Sequence, residues 1–327
     1  MKNVLITGGA GFIGSHVIEH IYRKTNWNII VIDKLTYASK GLSRLRDSGL
    51  LDSSRVKVFV YDLCVPLSDG LRLEIGKIDY IVHMAAETHV DNSISNPGFC
   101  IKNNIESTVN LLEFARENVP EKFFYFSTDE VFGSAEKNEE FKEWDRHKPS
   151  NPYSASKSAA ESICIAYRNT YGTPIVIMNV MNAFGERQHV EKFIPKCIKT
   201  VLDEKEIEIH SDFECKEPGS RFYIHARNIA SALLFLIKNG IIGEKYNVVG
   251  EKEVNNLEMA LMIAKIIGKE LKYKLVNFHQ NRPGHDMRYS LNGDKLQKLG
   301  WKTPVSFEES LKKTIDWTLE HKEWLEE

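Results

Sequence analysis

The sequence contains few cysteines, and their spacing excludes two kinds of structure. There are five, an odd number, and no two of them form a C-x-x-C pair: Cys64, Cys100, Cys164, Cys197 and Cys215. A scattered, odd set argues against a disulfide framework and against a zinc site. We therefore expect no metal ion, and we expect the protein to reside in a reducing compartment, the cytoplasm.

The chain also lacks a long hydrophobic run and a marked net charge. Its longest apolar stretch, Ile229 to Ile237, is interrupted and too short to span a bilayer. The first strand-like segment starts almost at Met1, which leaves no room for a signal peptide. A formal charge of -2 gives no overall attraction to nucleic acid or to an anionic membrane, so we expect neither as a partner. Any phosphate group must be held by a few local lysine or arginine side chains.

What the sequence does contain is an alternation of strand-like and helix-like segments through its first half. Apolar runs of strand length are separated by segments with helical spacing, as between Ile13, Val17 and Ile21. Buried strands joined through amphipathic helices predict a parallel sheet covered on both faces. The predicted fold class is α/β, a doubly wound Rossmann sheet with strands near 4–6, 29–32, 56–60, 80–82, 123–126 and 175–177.

The regular alternation ends after about Asn179, and a length of 327 residues favours a second, smaller lobe. Residues 186–221 are polar and predict mainly loops, while Asn255 to Ile267 and a segment opened by Ser306 predict helices. We expect a smaller α/β lobe built from two separate parts of the chain. The predicted division is 1–180 with 222–250 for the nucleotide-binding domain, and 181–221 with 251–327 for the substrate-binding lobe.

A glycine-rich segment follows the first strand directly. Gly8, Gly11 and Gly14 stand at G-x-x-G-x-x-G spacing, which lets the backbone turn sharply and approach a pyrophosphate at a helix N-terminus. The strand before it, the helix after it and Asp33 at the end of the second strand together predict a dinucleotide site. Asp33 suits a ribose 2′-hydroxyl and would repel a 2′-phosphate, so NAD is favoured over NADP.

Asp62 ends the third predicted strand, where it either meets the adenine or caps a helix. Lys34, next to Asp33, weakens the preference for NAD only slightly. The predicted NAD contacts are Gly8, Gly11, Phe12, Ile13, Gly14, Asp33, Asp62 and Leu63, with Tyr153 and Lys157 at the nicotinamide end.

The spacing of Tyr153 and Lys157 indicates a proton-transfer pair. They stand at i and i+4 on a helix predicted to start near Asn151, so they share one face of it. A phenol with a pKa near about 10 is a weak base at neutral pH. A nearby ammonium and a positively charged nicotinamide ring favour the phenolate, which makes proton abstraction feasible.

Thr128, Asp129 and Glu130 follow the strand that ends at Phe126, at the edge where open α/β sheets bind ligands. Two adjacent carboxyl groups at the mouth of a nucleotide cleft can acquire different pKa values and act as an acid and a base. Elimination of water requires that pairing. We therefore predict a site that removes a hydride, and then a water, from a sugar.

The chain resembles the nucleotide-sugar 4,6-dehydratases, which are extended short-chain dehydrogenase/reductases, nearly from end to end. Besides the residues above, the similarity rests on segments 32–37 (IDKLTY), 83–91 (HMAAETHVD), 191–195 (EKFIP) and 282–286 (RPGHD). The Thr-Asp-Glu triplet is the discriminating match, because related epimerases and decarboxylases usually carry another residue where Asp129 stands.

The resemblance implies a role for each catalytic candidate. Tyr153 takes the proton of the 4-hydroxyl of a glucose, with Thr128 and Lys157 orienting and tuning it. The C4 hydride passes to NAD, Glu130 removes the C5 proton, and Asp129 protonates the departing 6-hydroxyl. Return of the hydride to C6 yields a 4-keto-6-deoxy sugar and regenerates NAD, which can stay bound throughout.

The resemblance also implies a nucleoside-diphosphate hexose as substrate, with Lys192 and the arginines nearest its diphosphate. The implied substrate-binding residues are His89, Asn182, Glu191, Lys192, Arg221, Asn256 and Arg282. Two stretches depart from the family pattern: residues 182–185 read Asn-Ala-Phe-Gly instead of Asn-Asn-Tyr-Gly, and 210–222 is longer than usual. The second stretch borders the base pocket in the family. We expect dTDP-glucose first and UDP-glucose next, with CDP and GDP sugars kept as alternatives.

The family forms homodimers through two helices per subunit, which here would lie near 98–117 and 152–171. Ala159, Ile163, Ala166 and Tyr167 are candidates for part of the apolar seam, and burial within the subunit is the competing explanation.

Two other functions stay open. A 4-epimerase or UDP-glucuronate decarboxylase of the same superfamily would keep Tyr153, Lys157 and NAD, but it would not need the pair Asp129 and Glu130. The alternative from another class is a non-catalytic NAD-binding protein, although such proteins typically lose catalytic residues that this chain retains.

Overall fold

The computed structural model describes residues 1–277 and 286–326, in which strands and helices alternate through the first half of the chain. The strands are β1 (Asn3–Thr7), β2 (Asn28–Asp33), β3 (Val56–Val60), β4 (Tyr80–His83), β5 (Lys122–Thr128), β6 (Ile175–Val180), β7 (Ala183–Phe184), β8 (Glu206–Ser211), β9 (Ser220–Phe222), β10 (Ile224–His225), β11 (Lys245–Val248), β12 (Glu253–Asn255) and β13 (Lys272–Asn277).

The helices connect these strands and cover them. They are α1 (Phe12–Lys24), α2 (Ser43–Asp47), α3 (Asp69–Ile75), α4 (Val90–Ser95), α5 (Pro97–Asn118), α6 (Pro152–Tyr171), α7 (Phe193–Leu202), α8 (Ala226–Asn239), α9 (Asn256–Ile267), α10 (Asp294–Lys298) and α11 (Phe307–Glu320), with 3-10 turns at Tyr37–Ser39, Asp129–Phe132 and Lys322–Leu325. Over the described part of the chain, no helix is both long enough and apolar enough to cross a membrane.

Within the described ranges, seven strands form one parallel sheet in the order β11-β6-β5-β4-β1-β2-β3. The chain order reverses between β1 and β4, which makes their carboxyl ends the switch point where open α/β sheets bind ligands. The predicted doubly wound fold is confirmed. The structure adds one strand that the sequence patterns did not identify, β11, which α8 brings alongside β6.

Alternation along each strand divides the buried side chains between the two faces of the sheet. Val4 and Ile6 point to the face covered by α1 and α8, while Leu5 points to the face covered by α5 and α6. Both faces are therefore apolar, which explains the continuous hydrophobic runs of these strands.

A third apolar cluster lies outside the sheet and joins α7, α9, α11 and β8. The stretch 186–221, which the sequence indicated as loop-rich, also contains α7, β8 and the start of β9, and these elements were not predicted. Ile194, Ile198 and Val201 of α7 are buried at helical spacing in this cluster. The predicted helix over Asn255 to Ile267 is present as α9, with Asn255 as its N-cap. The division into two lobes stays a prediction.

Residues near the end of the described chain pack against the loop that follows β2. Arg44 is fully buried, and its Nη1 donates to the carbonyls of Ala10 (3.3 Å) and Ser39 (2.7 Å). Its guanidinium lies 5.2 Å from the ring centroid of Trp324, whose indole donates to Asp47 at 3.0 Å. The turn Lys322–Leu325 thus supports the glycine-rich loop through Arg44.

A buried ion pair fastens α6 to the edge of the sheet. The carboxylate of Glu161 lies 2.8 Å from Lys245 Nζ. The side chain of Glu161 is 0% exposed and that of Lys245 is 3% exposed. Asn179 donates to the other carboxylate oxygen at 2.6 Å, and His147 Nε2 is 3.2 Å from the same ammonium. These contacts position the helix that carries Tyr153.

Replacing Lys245 by Met should destabilise the protein strongly, because the carboxylate of Glu161 would remain buried without its cation. We expect a loss of about 3–5 kcal/mol in the free energy of unfolding, measured by urea denaturation. Adding Glu161→Gln should recover part of this loss. The control is Lys313→Met, which breaks an exposed pair with Glu309 and should leave the midpoint nearly unchanged. A Lys245→Met protein as stable as wild type would contradict this account.

Candidate active site

A cavity of about 560 Å³ opens where β1, β2, β4, β5 and β6 end. It is lined by every predicted site residue that the structure describes: Gly8, Gly11, Phe12, Ile13, Gly14, Asp33, Asp62, Leu63, His89, Thr128, Asp129, Glu130, Tyr153, Lys157, Asn182, Glu191, Lys192, Arg221 and Asn256. Arg282 lies outside the described residues. The predicted cofactor, catalytic and substrate residues therefore surround one space.

The glycine-rich loop forms one wall of this cavity, and close backbone contacts exclude side chains from it. Gly8 has φ +69°, and a Cβ there would lie 2.8 Å from the backbone nitrogen of Ala85. A Cβ on Gly14 would lie 2.2 Å from the carbonyl oxygen of Gly8. The first turn of α1 carries no acidic residue, so its free backbone N–H groups can face an anion. This cradle fits the pyrophosphate of a dinucleotide.

Asp33 lies at the end of β2 and is 9% exposed. Its carboxylate accepts hydrogen bonds from the backbone nitrogens of Ala10 (3.0 Å) and Leu35 (2.8 Å), which leaves acceptor capacity for ribose hydroxyls. Burial raises the pKa of Asp33, and the two backbone bonds oppose that rise. Lys34 Nζ turns to Asn103 Oδ1 at 2.5 Å and lies 3.7 Å from Glu87.

Asp62 follows β3 and lines the same cavity. Its Oδ1 accepts from the backbone nitrogen of Cys64 at 2.9 Å, which closes a local turn. The following helix, α3, is capped by Ser68 instead. Asp62 is therefore not a helix cap.

The turn after β5 holds the two adjacent carboxyl groups in different surroundings. Thr128 Oγ1 donates to Asp129 Oδ1 at 3.0 Å and accepts from the backbone nitrogen of Glu130 at 3.3 Å. Asp129 is 3% exposed, and its Oδ2 has no hydrogen-bond partner in the described part of the structure. Burial, followed by the nearby charge of Glu130, raises the pKa of Asp129 to about 7. At neutral pH this group can hold or release a proton at little cost.

Glu130 is more accessible than Asp129 and has a hydrogen-bond donor beside it. Asn151 Nδ2 lies 3.3 Å from its Oε2. Burial raises the pKa of Glu130, and the bond from Asn151 and the charges of Arg221 and Lys192 act in the opposite direction. The two acids thus differ as an acid and base pair must.

Tyr153 and Lys157 lie on the first turns of α6, which starts with Asn151 as N-cap, as predicted. Lys157 Nζ donates to the carbonyl of Phe126 at 2.7 Å and lies 4.3 Å from the ring centroid of Tyr125. Burial lowers the pKa of Lys157 to about 8. The sequence predicted a lowered pKa for Tyr153; in the protein alone it is raised, because burial and the charge of Glu130 outweigh the hydrogen bond with Thr128.

The candidate substrate residues line the far side of the cavity. The guanidinium of Arg221 donates to the carbonyls of Ser220 (2.6 Å), Asp286 (2.6 Å) and Met287 (2.7 Å), which fixes its position. Asn256 Oδ1 accepts from the Tyr223 hydroxyl at 2.9 Å, so its amide nitrogen is turned the other way. These contacts hold both side chains in place before any ligand binds.

Glu191 links both sides of the cavity mouth. Its carboxylate lies 3.5 Å from Lys192 Nζ and 3.8 Å from His89 Nε2. Asn182 Oδ1 is buried, and within the described residues it has no hydrogen-bond partner.

Sequence reasoning missed two side chains that touch the catalytic turn. Asn151 was recognised only as the approximate start of a helix. Tyr289 was not among the predicted site residues, and its hydroxyl lies 3.4 Å from Glu130 Oε2. No local pattern identifies these contacts, since they depend on how distant segments pack.

The model of the GDP-mannose 4,6-dehydratase family matches residues 5–314 of the chain. The chain belongs to this family. Among curated proteins, a dTDP-glucose 4,6-dehydratase of Escherichia coli is 35% identical over 347 residues, which is 99% of this chain and 94% of that protein. A trifunctional UDP-glucose 4,6-dehydratase of Arabidopsis thaliana is 38% identical over 99% of this chain and 48% of its own length. The predicted resemblance is confirmed.

Solved structures of a sugar-nucleotide dehydratase and of an epimerase share the observed fold. A dTDP-glucose 4,6-dehydratase from Streptomyces venezuelae, solved with NAD bound, superposes with a TM-score of 0.88 at 31% identity, covering 99% of both chains. A UDP-glucuronic acid 4-epimerase from Bacillus cereus, also solved with NAD, superposes with a TM-score of 0.87 at 26% identity, covering 98% of this chain and 99% of the epimerase. The fold alone therefore does not separate dehydration from epimerisation.

Replacing Gly14 by Ala should disrupt the cofactor wall, since the new methyl group would collide with backbone rather than with a movable side chain. We expect a loss of about 1–3 kcal/mol in stability, and much less bound nucleotide in the purified protein. Melting temperature and chromatography of the nucleotide released on denaturation measure the two effects. The control is Gly70→Ala in α3, where the added Cβ meets no atom within 4 Å. Equal behaviour of the two variants would contradict the proposed cradle.

Proposed function

We propose that the protein is an NAD-dependent nucleotide-sugar 4,6-dehydratase, which converts a nucleoside-diphosphate hexose to its 4-keto-6-deoxy derivative. The observation that carries this proposal is the pair Asp129 and Glu130, adjacent in sequence but in different environments, in one cavity with Tyr153 and Lys157. The relatives named as dTDP-glucose and UDP-glucose 4,6-dehydratases support it.

The glycine cradle and Asp33 would hold NAD through its pyrophosphate and adenosine ribose. When bound, NAD supplies the acceptor for the hydride of C4 and its donor to C6. The chain's own residues must therefore remove the protons of the 4-hydroxyl and of C5, give one proton to the departing 6-hydroxyl, and return one to C5 when the hydride reaches C6.

Tyr153 removes the proton of the 4-hydroxyl. Burial disfavours its phenolate, so the reaction needs a counterbalancing positive charge close to the ring, which the oxidised nicotinamide would provide. Lys157, held by Phe126, adds a second positive charge along the same helix face. Thr128 shares a hydrogen bond with the phenol and keeps it oriented.

Glu130 then removes the C5 proton, which the 4-ketone has made acidic. Asp129, with a pKa of about 7, is protonated in a large fraction of molecules at neutral pH and gives its proton to the departing 6-hydroxyl. One acid gains a proton as its neighbour loses one, so the net charge of the pair stays constant during elimination.

The nucleotide is proposed as dTDP, with UDP as the alternative. Most of the similar dehydratases above and their relatives are named for dTDP-glucose, whereas the Arabidopsis protein is named for UDP-glucose. A sugar-nucleotide 4-epimerase is the second candidate function, favoured by the likeness to the Bacillus cereus epimerase. An epimerase has no need of Asp129 and Glu130, which is why it ranks second.

We also propose a homodimer through α5 and α6, and a cytoplasmic location. Ala166 is exposed and Ile163 is half-buried on α6, and Phe99 on α5 is 53% exposed. These apolar surfaces support a helical seam between two copies. Light scattering of the Ala166→Glu variant against wild type would test the dimer.

The proposal is tested by incubating the purified protein with dTDP-, UDP-, CDP- and GDP-hexoses and recording mass spectra. Loss of the mass of one water from a single substrate is the expected result, and it also identifies the nucleotide. An unchanged mass with every sugar, even after NAD is added, would contradict dehydration and leave epimerisation or simple binding.

Glu130→Gln should separate oxidation from elimination, because it removes the C5 base and leaves Tyr153 in place. We expect the absorbance of bound NADH to appear and persist, while the 4-keto-6-deoxy product falls by about 10²-fold or more. Tyr153→Phe is the matched comparison and should give neither the NADH signal nor product. Full product formation by Glu130→Gln would remove Glu130 from this role.

The pH dependence should report the proton held by Asp129. Its protonated form is the active one, so the rate of elimination should fall by about tenfold per pH unit once the pH exceeds the pKa near 7. The decay of bound NADH in single turnovers measures this step. The Asp129→Asn variant cannot give up a proton. Its residual rate of elimination should be slow, and it should not decrease further at alkaline pH. A wild-type rate that rises steadily with pH would exclude Asp129 as the acid.

A further inference from the structure

Two neutral side chains donate hydrogen bonds to the carboxylate of Glu130, and both reach the same oxygen. Asn151 Nδ2 lies 3.3 Å from Oε2, and the Tyr289 hydroxyl lies 3.4 Å from it. Two donors on one oxygen restrict the plane of the carboxylate and leave Oε1 for another contact. A base that must meet one C–H bond in a fixed direction benefits from such restraint.

Asn151 connects this carboxylate to the helix that carries Tyr153. Its Oδ1 accepts from the backbone nitrogen of Ser154 at 2.8 Å, which caps α6, while its Nδ2 faces Glu130. One amide therefore sets the position of Glu130 relative to the start of α6.

Tyr289 reaches the same oxygen of Glu130 from a distant part of the chain and is itself held rigidly. Its ring is 3% exposed and lies 4.5 Å from the guanidinium of Arg221, which also donates to the carbonyls of Asp286 and Met287. The next residue back, Arg288, is tied to Glu253 at 2.7 Å. The Tyr289 hydroxyl is thus fixed by contacts that do not involve Glu130.

We propose that Tyr289 and Asn151 are positioning residues for the removal of the C5 proton, orienting Glu130 and stabilising its ionised form. The inference rests on the proposed dehydratase function, and it assigns to both residues a role that acts through Glu130. Donors to a carboxylate favour its charged state, which is the state that can act as a base. Burial raises the pKa of the Tyr289 phenol, so this group remains a donor over the working pH range.

Tyr289→Phe tests the proposal, because it deletes the donor and retains the ring that packs against Arg221. Single turnovers are followed by the absorbance of bound NADH. The rise of this absorbance reports oxidation at C4, and its decay depends on the C5 base. We expect an unchanged rise and a decay slowed by about tenfold at neutral pH. The acidic limb of the pH profile for the decay rate should shift to higher pH. KM should stay close to that of wild type.

Two further variants separate positioning from folding. Tyr273→Phe makes the same chemical change at a side chain that is 43% exposed on β13, and its kinetics should match wild type. Asn151→Ser keeps an oxygen that can cap α6 but loses the amide donor, so it should reproduce the slower decay and the shifted profile with little change in melting temperature. Equal slowing of rise and decay, or an unshifted pH profile in both variants, would overturn the inference.

The outcomes also distinguish this inference from the proposed function. If wild-type protein forms no NADH signal and no dehydrated product with any of the four sugar nucleotides, the dehydratase function fails. If wild type dehydrates a substrate and Tyr289→Phe decays as fast as wild type, only the positioning role fails.

Discussion

The parallel pairing of β4, β5 and β6 is the constraint on which the rest of the site depends. Because these strands run in one direction with Tyr125 opposite His83 and Thr128 opposite Val180, their carboxyl ends meet at one edge. The glycine loop after β1 and the carboxylate that ends β2 arrive at the same edge. The bond from Lys157 to Phe126 then fastens α6 to β5, so the helix and the catalytic turn keep one spacing.

Burial at this edge shifts the pKa values of acidic and of cationic side chains in opposite directions. It raises the pKa of Asp129 to about 7 and lowers that of Lys157 to about 8, so both groups lie near neutrality. Groups poised in this way exchange protons at a small free-energy cost. The bond from Asn151 opposes the same rise in the pKa of Glu130, so the two neighbouring carboxyl groups have different surroundings. The chemistry of the triplet therefore comes from unequal solvation of neighbouring residues rather than from residue type alone.

Much of the fold could be predicted from sequence, because apolar periodicity and the glycine spacing are local signals. The six predicted strands, α6 with Asn151 at its start and α9 all follow from them. The helix α7 within 186–221 was not predicted, because the charged residues of this stretch mask the helical spacing of Ile194, Ile198 and Val201. The raised pKa of Tyr153 could not be predicted either, since it depends on how deeply the ring is buried. Contacts such as Tyr289 with Glu130 join distant segments, and only tertiary packing brings them together.

The contact between Trp324 and Arg44 has a consequence for the order in which the protein is made. A ribosome synthesises the chain from its N-terminus, so β1, the glycine loop and Arg44 emerge long before Trp324. Until then, the buried guanidinium beneath Ala10 lacks the indole that covers it. The sheet can form while synthesis continues, as domains commonly do. The support that Trp324 gives to the cofactor wall through Arg44, in contrast, is added only after Trp324 itself has left the ribosome.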